Sequence, residues 1–251
     1  MNYTITPIML GRFVAHEKSV FTYKKDYGVG LNCPLFVFLV QGGGKTVLFD
    51  CGPVSPELAP AKNHRQITDH ISLTQALASK GLTPDDIDCV VLSHLHWDHS
   101  YNLELFPHCP IYVQAKEVAY SLNPLPCDYT NCNIRRGNGM PQWLNGYESF
   151  VMLDGDYLLA DGLKILTLGG HSPALHGLLV DTEEGRYLLS SDHYPLLENF
   201  TEGLPSGNHT DLGLWYESHE KAKKAADFVL PGHDDCVLER DVYGKLENGR
   251  K

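Results

Sequence analysis

No stretch of this chain approaches the roughly 20 consecutive apolar residues that cross a bilayer. Its first residues, Met1-Asn2-Tyr3-Thr4-Ile5-Thr6-Pro7-Ile8, do not set a charged segment ahead of an apolar one, so no export signal is expected. Basic runs are missing too. Twenty Lys+Arg stand against 31 Asp+Glu, a formal net charge of −11, which argues against nucleic acid or a membrane surface as partner. The seven cysteines form no Cys-x-x-Cys pair. An odd, unpaired set fits a reducing compartment better than a disulfide framework, and a cytoplasmic location is the expectation. No fixed-period repeat, low-complexity tract or Pro/Gly linker divides the chain, and 43% hydrophobic content supports a sizeable core. One α/β domain over residues 1–251 is the simplest organisation.

What is present reads as strands and helices in two similar halves. Residues 35–40 and 46–50 are strand-like, joined by Gly42-Gly43-Gly44. Residues 68–80 predict a helix, with Thr68 as cap, Ile71, Thr74, Leu77 and Ala78 on one face, and Gly81 as the stop. Residues 111–113 predict a strand and 116–122 a short helix. In the second half, 150–153, 157–160, 164–168, 177–182 and 186–191 predict strands. A helix follows with Leu212, Trp215, His219, Ala222 and Ala226 on one face, then a last strand over 228–230. Residues 16–34 and 123–147 read as long loops; they carry Phe21, Tyr23, Tyr27, Arg135, Arg136, Trp143 and Tyr147 as candidate pocket residues.

The chemistry concentrates in Ser93-His94-Leu95-His96-Trp97-Asp98-His99, directly after the apolar run Ile87-Asp88-Cys89-Val90-Val91-Leu92. Alternate side chains of an extended segment point the same way, so His94 and His96 can grip one cation together. Asp98 and His99 diverge from that pair and suit a second cation. Trp97 is expected to face the cavity or the adjoining core. Three further polar residues stand after strand-like runs among turn residues: His171 in Gly169-Gly170-His171-Ser172-Pro173, Asp192 after Ser190-Ser191, and His233 in Pro231-Gly232-His233-Asp234. Singly each is weak; joined to the cluster in that order they point to a metal centre. His16, His64, His70, His108, His209 and His219 read as ordinary surface or hydrogen-bonded histidines.

The H-x-H-x-D-H cluster resembles the core motif of the metallo-β-lactamase superfamily, as do its ordered partners Phe49-Asp50-Cys51-Gly52, Gly155-Asp156-Tyr157, Gly170-His171-Ser172-Pro173, Asp192 and Gly232-His233-Asp234. Within that superfamily the chain is most similar to the N-acyl-homoserine lactone lactonases. The resemblance implies an αββα sandwich, two packed mixed sheets with helices outside. It assigns His94, His96 and His171 to one metal and Asp98, His99 and His233 to the other, with Asp192 bridging and Asp50 steadying the loop. Mixed N/O ligation suits two Zn²⁺, and Mn²⁺, Fe or Co are accommodated as well. The family's tyrosine three residues after the bridging aspartate is Pro195 here, so Tyr194 or His193 is expected to contact the substrate in its place. The family's second histidine in G-H-S-P-G-H is displaced to His176.

Two adjacent cations lower the pKa of a shared water towards about 7. The resulting hydroxide can attack a carbonyl, and Asp98 can relay the proton to the leaving alkoxide. The expected function is therefore opening of a lactone or similar activated small-molecule carbonyl, and quorum quenching if that lactone is an acyl-homoserine lactone. Alternatives are a glyoxalase-II-like thioester hydrolase, a cyclic amide hydrolase on the same site, and a non-catalytic metal-binding module. A true β-lactamase is disfavoured by Asp192 and the lack of an export signal, an RNA-processing nuclease by net charge. A flavo-diiron oxidoreductase is disfavoured because the motif has no glutamate in the second histidine pair and no flavin domain is seen.

Overall fold

The computed structural model describes residues 2–58, 66–132 and 141–246. Twelve strands are described, in two sheets. The first sheet contains β1 (Thr4–Glu17), β2 (Gly30–Gly42), β3 (Lys45–Phe49), β4 (Ile67–Thr68), β5 (Cys89–Val91), β6 (Ile111–Gln114) and β7 (Phe150–Leu153), in the order β4-β1-β2-β3-β5-β6-β7. The second contains β8 (Tyr157–Ala160), β9 (Leu163–Thr167), β10 (His176–Asp181), β11 (Arg186–Ser191) and β12 (Phe228–Pro231), in the order β12-β11-β10-β9-β8. The helices are α1 (Leu73–Ser79), α2 (Ala115–Leu122), α3 (Leu197–Glu202) and α4 (Leu212–Ala225). No helix among the described residues is long and apolar enough to cross a membrane.

The two-residue period of the strands divides the core into layers. On β2, Phe36, Phe38 and Val40 enter the cluster between the sheets, while Val37 and Leu39 face the cluster under α1. The same split separates Val47 and Phe49 from Leu48, and Leu178 and Val180 from Leu179; Leu179 packs towards Trp215 and Ala222 of α4. Strands buried on both faces explain the unbroken apolar runs. The result is the αββα sandwich.

Two expectations need correction. The helix expected over 68–80 begins only after Ser72, which caps it in a reciprocal capping box with Gln75. Thr68 belongs to β4, and Ile71 is exposed. Ser72 and Gln75 satisfy amides that Thr68 cannot reach. Second, the sequence pattern does not predict β1, which extends to Glu17 inside the expected 16–34 loop. Pro7 and Gly11 interrupt its pattern, yet it pairs with β2 from Thr4 to Glu17, with register shifts at Met9/Gly11 and Phe13/His16.

Direction places the site. β3, β5 and β6 run parallel, and β9 and β11 both run antiparallel to β10, with β12 parallel to β11. The segments after β3, β5, β9, β11 and β12 carry the expected polar residues to a common edge.

Candidate metal centre

At that edge two groups of buried side chains converge: His94, His96, His171 and Asp192, and beside them Asp98, His99 and His233. His171 Nε2 lies 3.1 Å from His96 Nδ1 and 3.5 Å from Asp192 Oδ2. Asp192 Oδ1 lies 2.9 Å from His233 Nε2 and 3.2 Å from His99 Nε2, so its two oxygens face different groups. Asp98 Oδ2 is 3.8 Å from His99 Nε2 and 3.9 Å from His233 Nε2.

Four of the five imidazoles are oriented from behind; the fifth, His96, turns Nδ1 towards His171 Nε2, 3.1 Å away. His99 Nδ1–H donates to Asp50 Oδ2 (2.9 Å), His171 Nδ1–H to the Asn208 carbonyl (2.8 Å), His233 Nδ1–H to the Pro34 carbonyl (2.9 Å) and His94 Nδ1–H to Ser93 Oγ (3.0 Å). These bonds fix the tautomer that leaves Nε2 as a lone pair. Asp50 also accepts Ser93 N–H (2.7 Å) and Ser93 Oγ–H (2.9 Å), and Ser191 Oγ lies 2.8 Å from Ser93 Oγ. Asp50 (φ 64°) and Ser191 (φ 47°) hold left-handed backbone conformations at the ends of β3 and β11. Such strain in non-glycine residues persists where the surroundings impose it.

A buried carboxyl, Glu117 of α2, ties the first sheet's helix to the loop bearing His171. It accepts Ser172 Oγ–H (2.8 Å) and Ala174 N–H (2.5 Å). Burial pushes it up to about 7, against those two hydrogen bonds. Gly170 (φ 129°) packs against the Trp215 backbone, where a Cβ would lie 2.5 Å from Trp215 Cα; only glycine lets the loop approach α4 so closely.

The donor set fits divalent metal ions. His94 Nε2, His99 Nε2, His233 Nε2 and Asp192 Oδ1 are buried and make no hydrogen bond, an arrangement that is costly unless a cation occupies the space between them. Burial and the adjacent His99 and His96 hold His94 well below its ordinary range, and burial with His171 brings His96 down to about 4. Both are thus neutral, as ligands must be. Burial opposes charge on His99 and His233 too, but Asp192 and Asp98 outweigh it and raise both. Asp192 is held well below the carboxylate range because His233 and His99 overcome its burial.

Above the centre lies a cleft. Its floor is His96, Asp98, His171 and Asp192, one wall is Phe13, Val20 and Phe21, and His16, Asn131, Ser206 and Asn208 complete it. Phe21 stacks on His233, ring centroids 5.4 Å apart.

Tyr194 and His193 are not at the cleft, which corrects the expected substrate contact. Both are fully buried behind the centre. Tyr194 Oη lies 2.8 Å from His219 Nδ1, and His193 stacks on Trp215 at 5.1 Å. Because β11 ends at Ser191, the next residues turn under α4 rather than out into the cleft. Their backbone does serve the centre: the Tyr194 and Pro195 carbonyls accept Gly232 N–H and His233 N–H. His176 is likewise buried away from it, near Gln114. Trp97 packs into the adjoining core against Phe13. Arg135 and Arg136 lie outside the described residues. All seven cysteines are free thiols and none belongs to either ligand group.

Residues 32–233 match the model of the metallo-beta-lactamase superfamily, and the chain belongs to that superfamily. Among characterised relatives it is 27% identical to the N-acyl homoserine lactonase AiiA of Bacillus thuringiensis subsp. kurstaki, over 81% of this chain and 82% of that one. It is 30% identical to the N-acyl homoserine lactonase AiiB of Agrobacterium fabrum, over 81% and 80%. The fold superposes on an N-acyl homoserine lactone hydrolase with the product N-hexanoyl-L-homoserine bound at its catalytic metal centre. That match has a TM-score of 0.78 and 25% identity, and covers 93% of this chain and 94% of that one.

Proposed function

We propose that this protein is a binuclear metal-dependent hydrolase that opens a lactone ring, with N-acyl-homoserine lactones as the substrate class. The observation that carries the reading is the set of seven buried donors whose unpaired atoms converge beneath an open cleft. The lactonase relatives supply the substrate class. His94, His96 and His171 would hold one ion, Asp98, His99 and His233 the other, and Asp192 both. Zinc suits these donors, and Mn, Fe or Co would be accepted.

When bound, such ions supply Lewis acidity for a carbonyl oxygen and acidify water. The chain's own residues do the rest. Asp98, at the cleft floor, takes a proton from the attacking water and returns it to the ring oxygen as the carbon–oxygen bond breaks, leaving a hydroxy acid. Phe13, Val20 and Phe21 present an apolar wall to the acyl portion and exclude bulk water. The donors come from segments after strands of both sheets, which supports reading residues 1–251 as one domain.

The test is acid release, followed with a pH indicator, by zinc-reconstituted protein offered lactone, thioester and cyclic-amide panels. Turnover concentrated on N-acyl-homoserine lactones is expected. Turnover on thioesters alone, or two bound metals with no turnover on any panel, would overturn the reading.

A further inference from the structure

The backbone of β1 is distorted at the cleft in a way that delivers one side chain to it. Phe13 pairs with Cys33 of β2 and His16 with Leu31, so β1 carries one residue more than its partner between these positions. Ala15 sits in the left-handed region (φ 47°). Its N–H, turned away from the ladder, donates to Asn32 Oδ1 at 2.7 Å. This is a β-bulge with a dedicated side-chain partner.

In a regular strand, residues three apart face opposite sides of the sheet. The extra residue cancels that alternation, and Phe13 and His16 both line the cleft, their ring centroids 5.4 Å apart. Phe21 packs edge-on against His16 at 4.9 Å and stacks on His233. An imidazole is thus held between two phenyl rings beside the ligand cluster. Bulges next to active sites re-aim side chains, and backbone strain concentrates where function imposes it.

We propose that His16 is a specificity-determining residue that hydrogen-bonds the acylamino group of the substrate, the polar group next to the lactone ring. The inference rests on the lactonase reading above. The substrate has two polar handles. The ring carbonyl belongs over the cleft floor, where the metal-ligand cluster lies. The amide needs a polar partner; outside the floor the cleft offers His16, Asn131, Ser206 and Asn208, and of these His16 is the one packed against the wall of Phe13, Val20 and Phe21. His16 supplies one on that wall, at the position to which the bulge brings it. It also gives the site a polar contact to replace the one that Tyr194, buried on the far side, does not make.

The experiment compares two lactones with the same ring, N-hexanoyl homoserine lactone and γ-butyrolactone, on zinc-loaded wild type, His16→Ala and His16→Gln. For His16→Ala we expect KM for the acylated lactone to rise about two- to tenfold, the range set by one lost hydrogen bond. Turnover number, metal content and γ-butyrolactone kinetics should stay at wild-type levels. His16→Gln, which keeps an N–H donor, should recover most of the loss. Equal losses on both lactones, or no change on either, would overturn the assignment. If wild type opens neither ring while fully metal-loaded, the lactonase reading itself fails, and this role with it. If it opens both and His16→Ala is unaltered, only this role fails.

Discussion

The Asp50 carboxylate accepts hydrogen bonds from Ser93 N–H, Ser93 Oγ–H and His99 Nδ1–H, and a longer one from Ser191 Oγ–H at 3.4 Å. An asparagine can accept on one oxygen only, and its amide would meet a donor. Carboxylates behind ligating histidines typically contribute 10–100-fold to metal affinity. Asp50→Asn should weaken one of two sites by that amount, and competition with a graded chelator will measure it. Tyr194 makes the opposite case. With its hydroxyl 2.8 Å from buried His219 Nδ1, Tyr194→Phe should cost stability, about 1–2 kcal/mol in urea denaturation, while kcat stays within twofold of wild type. A large kcat loss at unchanged stability would return Tyr194 to the reaction.

At the scale of elements, two connections hold the centre and its cleft. The first is Glu117, reaching from α2 to the loop after β9. Its carboxyl, ordinarily near 4.5, is raised to about 7 by burial, so the folded state holds a proton that the unfolded chain has released. Stability from this group is therefore fullest below about pH 4.5 and falls as pH rises towards about 7. For the metal-free protein, wild type should lose stability relative to Glu117→Gln as pH rises through that window; a difference independent of pH would contradict the assignment. The second is the segment from Lys18 to Val29, which brings Val20 and Phe21 over the cleft. Lys18 and Lys25 both pair with Glu198 of α3, at 2.7 and 2.8 Å, and Asn199 Nδ2 donates to the Phe21 carbonyl at 2.7 Å. Glu198→Ala should speed amide exchange in residues 20–29 and raise KM, leaving α4 protected.

Across the whole molecule, what could be read from the chain and what could not divide along physical lines. The apolar runs of β2, β5 and β11 announce strands because both their faces are buried, and the H-x-H-x-D-H cluster announces its chemistry because few other roles need those residues so close. His171, Asp192 and His233 were legible because strand ends in a layered fold meet at one edge. Tyr194 and His193 were misread because the direction of a side chain after β11 depends on the Ser191 backbone and on packing under α4, neither of which is local. His16 had no signal at all. Its place in the cleft comes from one unmatched residue in a strand pair, visible only once Phe13 and His16 are set against Cys33 and Leu31. The identical reason hid β1: Pro7, Gly11 and two register shifts leave no regular period to detect.

The buried donors of two sheets are placed to close around a pair of ions. The most direct measurement is elemental analysis of purified protein after reconstitution and removal of loose metal. It should return two divalent ions per chain, falling to one or fewer in Asp192→Asn, whose amide cannot serve both groups. One equivalent or none in the wild type would contradict the account.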